Sequence, residues 1–189
     1  MNFHLRTAQL SDAPSIHAIY DEAVRTGTGS FDIEGPSFAD MLDRLKTLQS
    51  NGYPIVVAVE DGLTEDEGEG PVIGFAYAGP HKPRSGYRFT VESSIYMAPR
   101  ARKRGVGTAL LQGIIAASER AGFRQMVAVI GDSANVGSIL VHAKCGFEEV
   151  GIFKNVGHKF DRWLDVVFMQ RQLGHGGAQP PTERAKSRT

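Results

Sequence analysis

Residues 94–121, S-I-Y-M-A-P-R-A-R-K-R-G-V-G-T-A-L-L-Q-G-I-I-A-A-S-E-R-A, decide the fold. Ile95, Tyr96 and Met97 finish a strand of β-branched and aromatic residues. Pro99 stops that strand, because proline has no N–H to give to a ladder. Arg102-Lys103-Arg104-Gly105-Val106-Gly107-Thr108 then opens a helix, with an apolar face expected at Val106, Ala109, Leu110, Gly113, Ile114 and Ala117. The first N–H groups of a helix have no partner inside it, and the macrodipole puts partial positive charge there. Gly105 and Gly107 carry no Cβ and let a phosphate approach the backbone, with Arg100, Arg102, Lys103 and Arg104 close by. Strand, breaker, basic turn and amphipathic helix come in the order that a phosphate cradle needs.

Two common phosphate motifs do not fit. There is no G-x-x-x-x-G-K-[ST], and G-x-G-x-x-G fails because position 110 is Leu. Working outward, 189 residues suit one domain with a sizeable core, and 41% apolar with 22% charged residues are ordinary for a soluble protein. The 21 basic and 21 acidic residues balance, which argues against a dedicated nucleic-acid binder. The single cysteine, Cys145, excludes an intramolecular disulfide and a cysteine-cluster metal site. No apolar run reaches the ~18–20 residues that span a bilayer, and the N-terminus lacks the apolar core of a signal peptide. A cytoplasmic location, with no membrane, nucleic acid or metal partner, is the expectation.

Residues 3–8 read as the first strand. Ser11-Asp12-Ala13-Pro14 starts a helix with Ile16, Ile19, Tyr20 and Ala23 at helical spacing. Residues 26–31, T-G-T-G-S-F, form a loop around one aromatic, and Ser37 caps a second helix with Phe38, Met41, Leu45 and Leu48 on its apolar face. Strands at 54–60 and 72–79 flank an acidic glycine-rich turn and predict an antiparallel hairpin. A basic loop at 81–87 leads into the strand that ends at Met97. Further strands are expected at 125–130, 147–153 and 163–173, with a helix from Ser133 or Asn135 to about Lys144. Residues 174–189 lack apolar periodicity and read as an unstructured tail after a single domain, 1–173. The order β-α-α-β-β-β-α-β-α-β-β predicts an α/β fold, a mixed sheet with flanking helices and its parallel pairing within 94–153.

The pattern R-x-x-G-x-G at Arg102, Gly105 and Gly107, after a strand and a proline, resembles the acyl-CoA loop of the GNAT family of N-acetyltransferases. T-V-E-S-S-I-Y-M at 90–97, M-V-A-V-I-G-D at 126–132, N-V-G-S-I-L-V-H-A-K-C-G-F at 135–147 and V-G-H-K-F-D-R-W-L-D at 156–165 resemble its phosphinothricin and methionine-sulfoximine N-acetyltransferase branch. The resemblance runs nearly to Leu173 and implies acetyl-CoA as cosubstrate, a small amino-acid-like amine as acceptor, and a homodimer. It implies that Ile95, Tyr96 and Met97 meet the pantetheine arm and that residues 102–108 hold the pyrophosphate. Asn135, which by itself reads as a helix cap, takes a place on the CoA arm.

Acetyl transfer from a thioester to an amine needs a fixed CoA, a deprotonated amine, a stabilised oxyanion and a proton for the leaving thiolate. Glu92 shares one strand face with Thr90 and Ser94. From the residues alone it reads as an exposed strand carboxylate; the resemblance makes it the general base, acting through a water. His142 stands seven residues after Asn135, where many relatives place a tyrosine aimed at the CoA sulfur, and is the second catalytic candidate, as acid or as base. Cys145 lacks the paired base of a nucleophile and reads as packing, which favours direct transfer. Lys82, Arg84, Tyr87, Arg88 and Thr90 lie where the branch places substrate contacts, with Phe31 and Lys159 as further candidates. Trp163 and Asp165 read as structural or as dimer contacts. Other acceptors (another small amine, an antibiotic, a protein N-terminus) and a non-catalytic CoA sensor are the competing readings.

Overall fold

A computed structural model of the chain describes residues 2–62 and 70–181. In chain order the elements are β1 (Phe3–Thr7), α1 (Ala13–Thr26), α2 (Phe38–Ser50), β2 (Ile55–Glu60), β3 (Val72–Pro80), β4 (Thr90–Met97), α3 (Val106–Arg120), β5 (Gln125–Gly131), α4 (Val136–Lys144), β6 (Glu148–Lys159) and β7 (Arg162–Gln172). The strands form one sheet in the order β1-β2-β3-β4-β5-β7-β6. Neighbours run antiparallel except β4 and β5, joined by the α3 crossover.

Each face of the sheet carries its own core. Ile16, Ile19, Tyr20 and Val24 of α1 and Met41, Leu45 and Leu48 of α2 pack on Ile55, Val57, Val59 and Phe75. On the other face Leu110, Leu111 and Ile114 of α3 meet Ile73, Val91, Met126 and Val167. Ser37 caps α2 through the Asp40 N–H, and Pro14 sits in the first turn of α1 behind the Asp12 cap.

Four details depart from the sequence expectation. Leu111, Ile115 and Ser118 of α3 are buried while Ala109, Gly113 and Ala117 are only partly so, because α3 packs against α4 as well as the sheet. Phe38, in the first turn of α2, stays exposed and rests edge-on against His17. β6 runs on to Lys159, because a two-residue turn at Phe160-Asp161, both with positive φ, joins it directly to β7. Within the expected tail, residues 174–181 form turns, with Pro180 accepting from Arg124 and the Gly174 N–H reaching Glu119. The rest of that tail and most of the acidic turn, 63–69, lie outside the described residues. No described helix is long and apolar enough to cross a membrane.

Candidate active site

The ladder between β4 and β5 stops short. It runs from Thr90↔Gln125 to Ser93↔Ala128. Beyond it, residues 94–97 pair only with β3 and residues 129–131 only with β7. The inner backbone edges of both strands therefore face a cleft of about 670 Å³ instead of each other. Buried backbone groups demand partners, so this gap suits a ligand with amide groups along its length.

The cleft has three further walls. Arg102, Lys103 and Gly107 bring the start of α3 to it, Asn135, Ser138 and His142 bring α4, and residues 26–29 close it from the α1–α2 connection. Gly105 is the cap of α3 with φ +83°, and a Cβ there would meet open space. A Cβ on Gly107 would press on the Met97 thioether at 3.0–3.1 Å, so glycine lets the helix start sit against β4. Val106 is fully buried, which leaves only its N–H for a ligand, and Thr108 is half-buried. Free N–H groups, a helix dipole and nearby cations fit a pyrophosphate, and the open strand edges fit an amide-bearing arm.

The remaining predicted CoA contacts divide. Ile95 packs toward the α3 core, while Tyr96 lies on the opposite face against Tyr20 (4.8 Å) and Phe75 (5.3 Å). Burial raises the Tyr96 hydroxyl well above the ordinary tyrosine value. Arg104 turns away, with Nη1 donating to Glu60 Oε1 at 3.0 Å. Asn135 lines the cleft and also caps α4, its Oδ1 accepting the Ser138 N–H at 3.3 Å.

His142 is buried in the cleft wall, edge-on to Phe147 at 5.1 Å. Its Nδ1 lies 2.8 Å from the Ser138 carbonyl oxygen. A carbonyl only accepts, so Nδ1 carries the proton and Nε2 keeps its lone pair. Burial lowers the His142 pKa, partly offset by that hydrogen bond, and the ring is neutral at pH 7. Cys145 is buried, its thiol pushed up by desolvation. Glu92 stands two residues before Ser94 on the same face of β4, with Oε1 2.8 Å from His81 Nδ1.

The predicted acceptor residues are not gathered at the cleft. Lys82, Arg84, Tyr87 and Arg88 are exposed on the loop before β4, and Arg88 lies over the Phe89 ring at 4.6 Å. Thr90 opens β4 at the paired end. Lys159 is 4% exposed and donates to the Ser30 carbonyl at 2.8 Å, and burial lowers its pKa. Phe31 lies against Gly131 and Gly157, where any Cβ would run into its ring. Thus Lys159 and Phe31 fasten the loop that walls the cleft. Residues not singled out from sequence complete that fastening. Asp132, with φ +71°, accepts from the Ala134 N–H (2.9 Å) and Arg162 (2.7 Å), which hold its carboxyl low. Tyr20 donates to Asp32 at 2.6 Å beneath the same loop. Asp165 braces the neighbouring hairpin: Lys154, Ser133 and the Asn155 N–H hold its pKa at about 2.

A seven-stranded mixed sheet, parted between its two parallel strands beside a glycine-capped helix start, defines an acyl-CoA-type N-acetyltransferase fold, and the chain belongs to the acetyltransferase (GNAT) family, whose profile matches residues 16–147. It is 44% identical over 177 residues to a phosphinothricin N-acetyltransferase of Alcaligenes faecalis, covering 94% of this chain and 86% of the relative. It is 38% identical over 173 residues to an L-methionine sulfoximine/L-methionine sulfone acetyltransferase of Pseudomonas aeruginosa, covering 92% and 96%. A crystal structure of a phosphinothricin acetyltransferase from Sinorhizobium meliloti in complex with acetyl-CoA superposes over 100% of both chains, with a TM-score of 0.90 and 44% identity.

Proposed function

We propose that this enzyme transfers the acetyl group of acetyl-CoA to the amino group of a small amino-acid-like acceptor of the phosphinothricin, methionine sulfoximine or methionine sulfone kind, in a ternary complex. The observation that carries this reading is the parted β4–β5 edge running into the start of α3. Acetyl-CoA, when bound, supplies an activated thioester. The backbone edge of 94–97 would hold its arm, and Arg102, Lys103 and the N–H groups of 105–108 its pyrophosphate. Glu92 takes the proton of the acceptor ammonium through a water, which frees the nitrogen lone pair. Neutral His142, with Nε2 unprotonated, offers a second acceptor on the cleft wall. Residues 1–173 act as one domain, and the protein works as a homodimer.

Thiol release from acetyl-CoA, measured against phosphinothricin, methionine sulfoximine, methionine sulfone, an aminoglycoside and a peptide N-terminus, tests the acceptor class. Turnover confined to the first three is expected; turnover only with the last two overturns it. Glu92→Gln should lower acceptor kcat/KM by about 10²–10⁴-fold and leave acetyl-CoA binding intact. Parent-like turnover of that variant removes the base assignment.

A further inference from the structure

Glu92 does not stand alone. The chain leaves β3 at Pro80, which pairs with Val91 of β4, and the next residue, His81, turns back over the hairpin onto Glu92. Pro80 and Pro83 bracket the imidazole and restrict φ on either side of it. Its Nδ1 lies 2.8 Å from Glu92 Oε1, and the two side chains are 18% and 34% exposed. Tyr87 meets the ring edge-on at 5.6 Å. Among the described residues, Glu92 from β4 and Tyr87 from the loop turn are the titratable groups in contact with the ring.

We propose that His81 is a positioning residue for Glu92, fixing which carboxylate oxygen takes the acceptor's proton; this rests on the reading of Glu92 as general base. An ionised carboxylate only accepts, so Nδ1 carries the hydrogen and occupies Oε1. Oε2 is left as the oxygen that takes the proton through water, and the ammonium becomes an amine as that carboxylate becomes a carboxylic acid. The hydrogen bond also holds the Glu92 carboxylate in one orientation on a half-exposed strand.

Two variants separate the parts. His81→Phe keeps a ring against Tyr87 and removes the N–H donor. His81→Asn keeps a donor near the Nδ1 position. Acceptor kcat/KM of His81→Phe should fall by about 10- to 100-fold with the acetyl-CoA KM unchanged. His81→Asn, which keeps an N–H donor for the carboxylate, should recover most of that loss in acceptor kcat/KM. The inference is overturned if His81→Phe matches the parent, or if both variants are equally impaired and melt at a lower temperature. Glu92→Gln, run alongside, keeps the two readings apart. Parent-like turnover there removes the base assignment itself, whereas an inactive Glu92→Gln beside an unaffected His81→Phe removes only the role of His81.

Discussion

Arg102 and Arg104 are alike in sequence and differ in the fold. Arg102 lines the cleft, while Arg104 is held by Glu60, 44 residues earlier in the chain. Arg102→Ala should weaken acetyl-CoA binding by about tenfold, the loss of one charged hydrogen bond, in a direct titration. Arg104→Ala should leave that affinity nearly unchanged and lower the melting temperature, since Glu60, 15% exposed, loses the nearer of its two arginine partners and keeps only Arg100 at 3.9 Å. The same rule explains what was legible at the site. The glycine-basic turn that opens α3 and the Asn135 cap that opens α4 are local signals, each at the start of its own helix, and His142 lies seven residues after Asn135. The divergence of Arg102 from Arg104, the His81–Glu92 bond and the turn of Lys159 toward Ser30 depend on tertiary neighbours that no local pattern encodes. His142 carries a pH consequence. Its folded pKa is depressed below the ordinary 6.5, so as pH falls below that value the unfolded chain binds a proton that the folded chain refuses. Stability should fall across that window, and His142→Gln should flatten the pH dependence of the denaturation midpoint there.

At the scale of elements, the sequence order of strands and helices was readable because each has its own period and punctuation. Pro99 and Gly105 mark the two ends of the turn between β4 and α3, and Ser37 marks the start of α2. The interposition of β7 between β5 and β6 was not readable, since pairing partners far apart in sequence leave no periodic trace. The hairpin turn was hidden because Phe160-Asp161 lacks the Asn-Gly or Asp-Gly signature of a turn with two positive φ angles. That hairpin matters to the cleft. Through Gly157 and Lys159, β6 seats Phe31 and holds Ser30, and so sets the position of 26–29. Gly157→Ala puts a methyl where the Phe31 ring lies and should cost about 1–3 kcal/mol of stability. Its kinetic mark should be a raised acceptor KM with an unchanged acetyl-CoA KM. An acceptor KM equal to the parent's would mean that the loop does not shape the acceptor side.

For the whole molecule, β6 poses a problem that the monomer does not solve. It ends the sheet order, so among the described residues one side of its backbone has no strand beside it. Val150, Phe153 and Val156 on β6 and Trp163 on β7 are 53–64% exposed. An edge strand with apolar side chains in water is an invitation to association, and proteins normally cover it or charge it. Here the hairpin carries the apolar residues uncovered, which is the physical argument for the homodimer proposed above. Light scattering should give a mass of about twice the 20.5 kDa chain, and Val150→Lys with Phe153→Lys should halve it by placing charge on the contact. Because the same hairpin anchors Phe31 and Ser30, a second copy docked on β6 would be mechanically joined to the loop at 26–29. The charged variant should therefore also show a raised acceptor KM while binding acetyl-CoA as the parent does. A parent protein with the mass of one chain would remove the dimer, and a monomeric variant with unchanged acceptor kinetics would show that β6 positions the loop without help from a second copy.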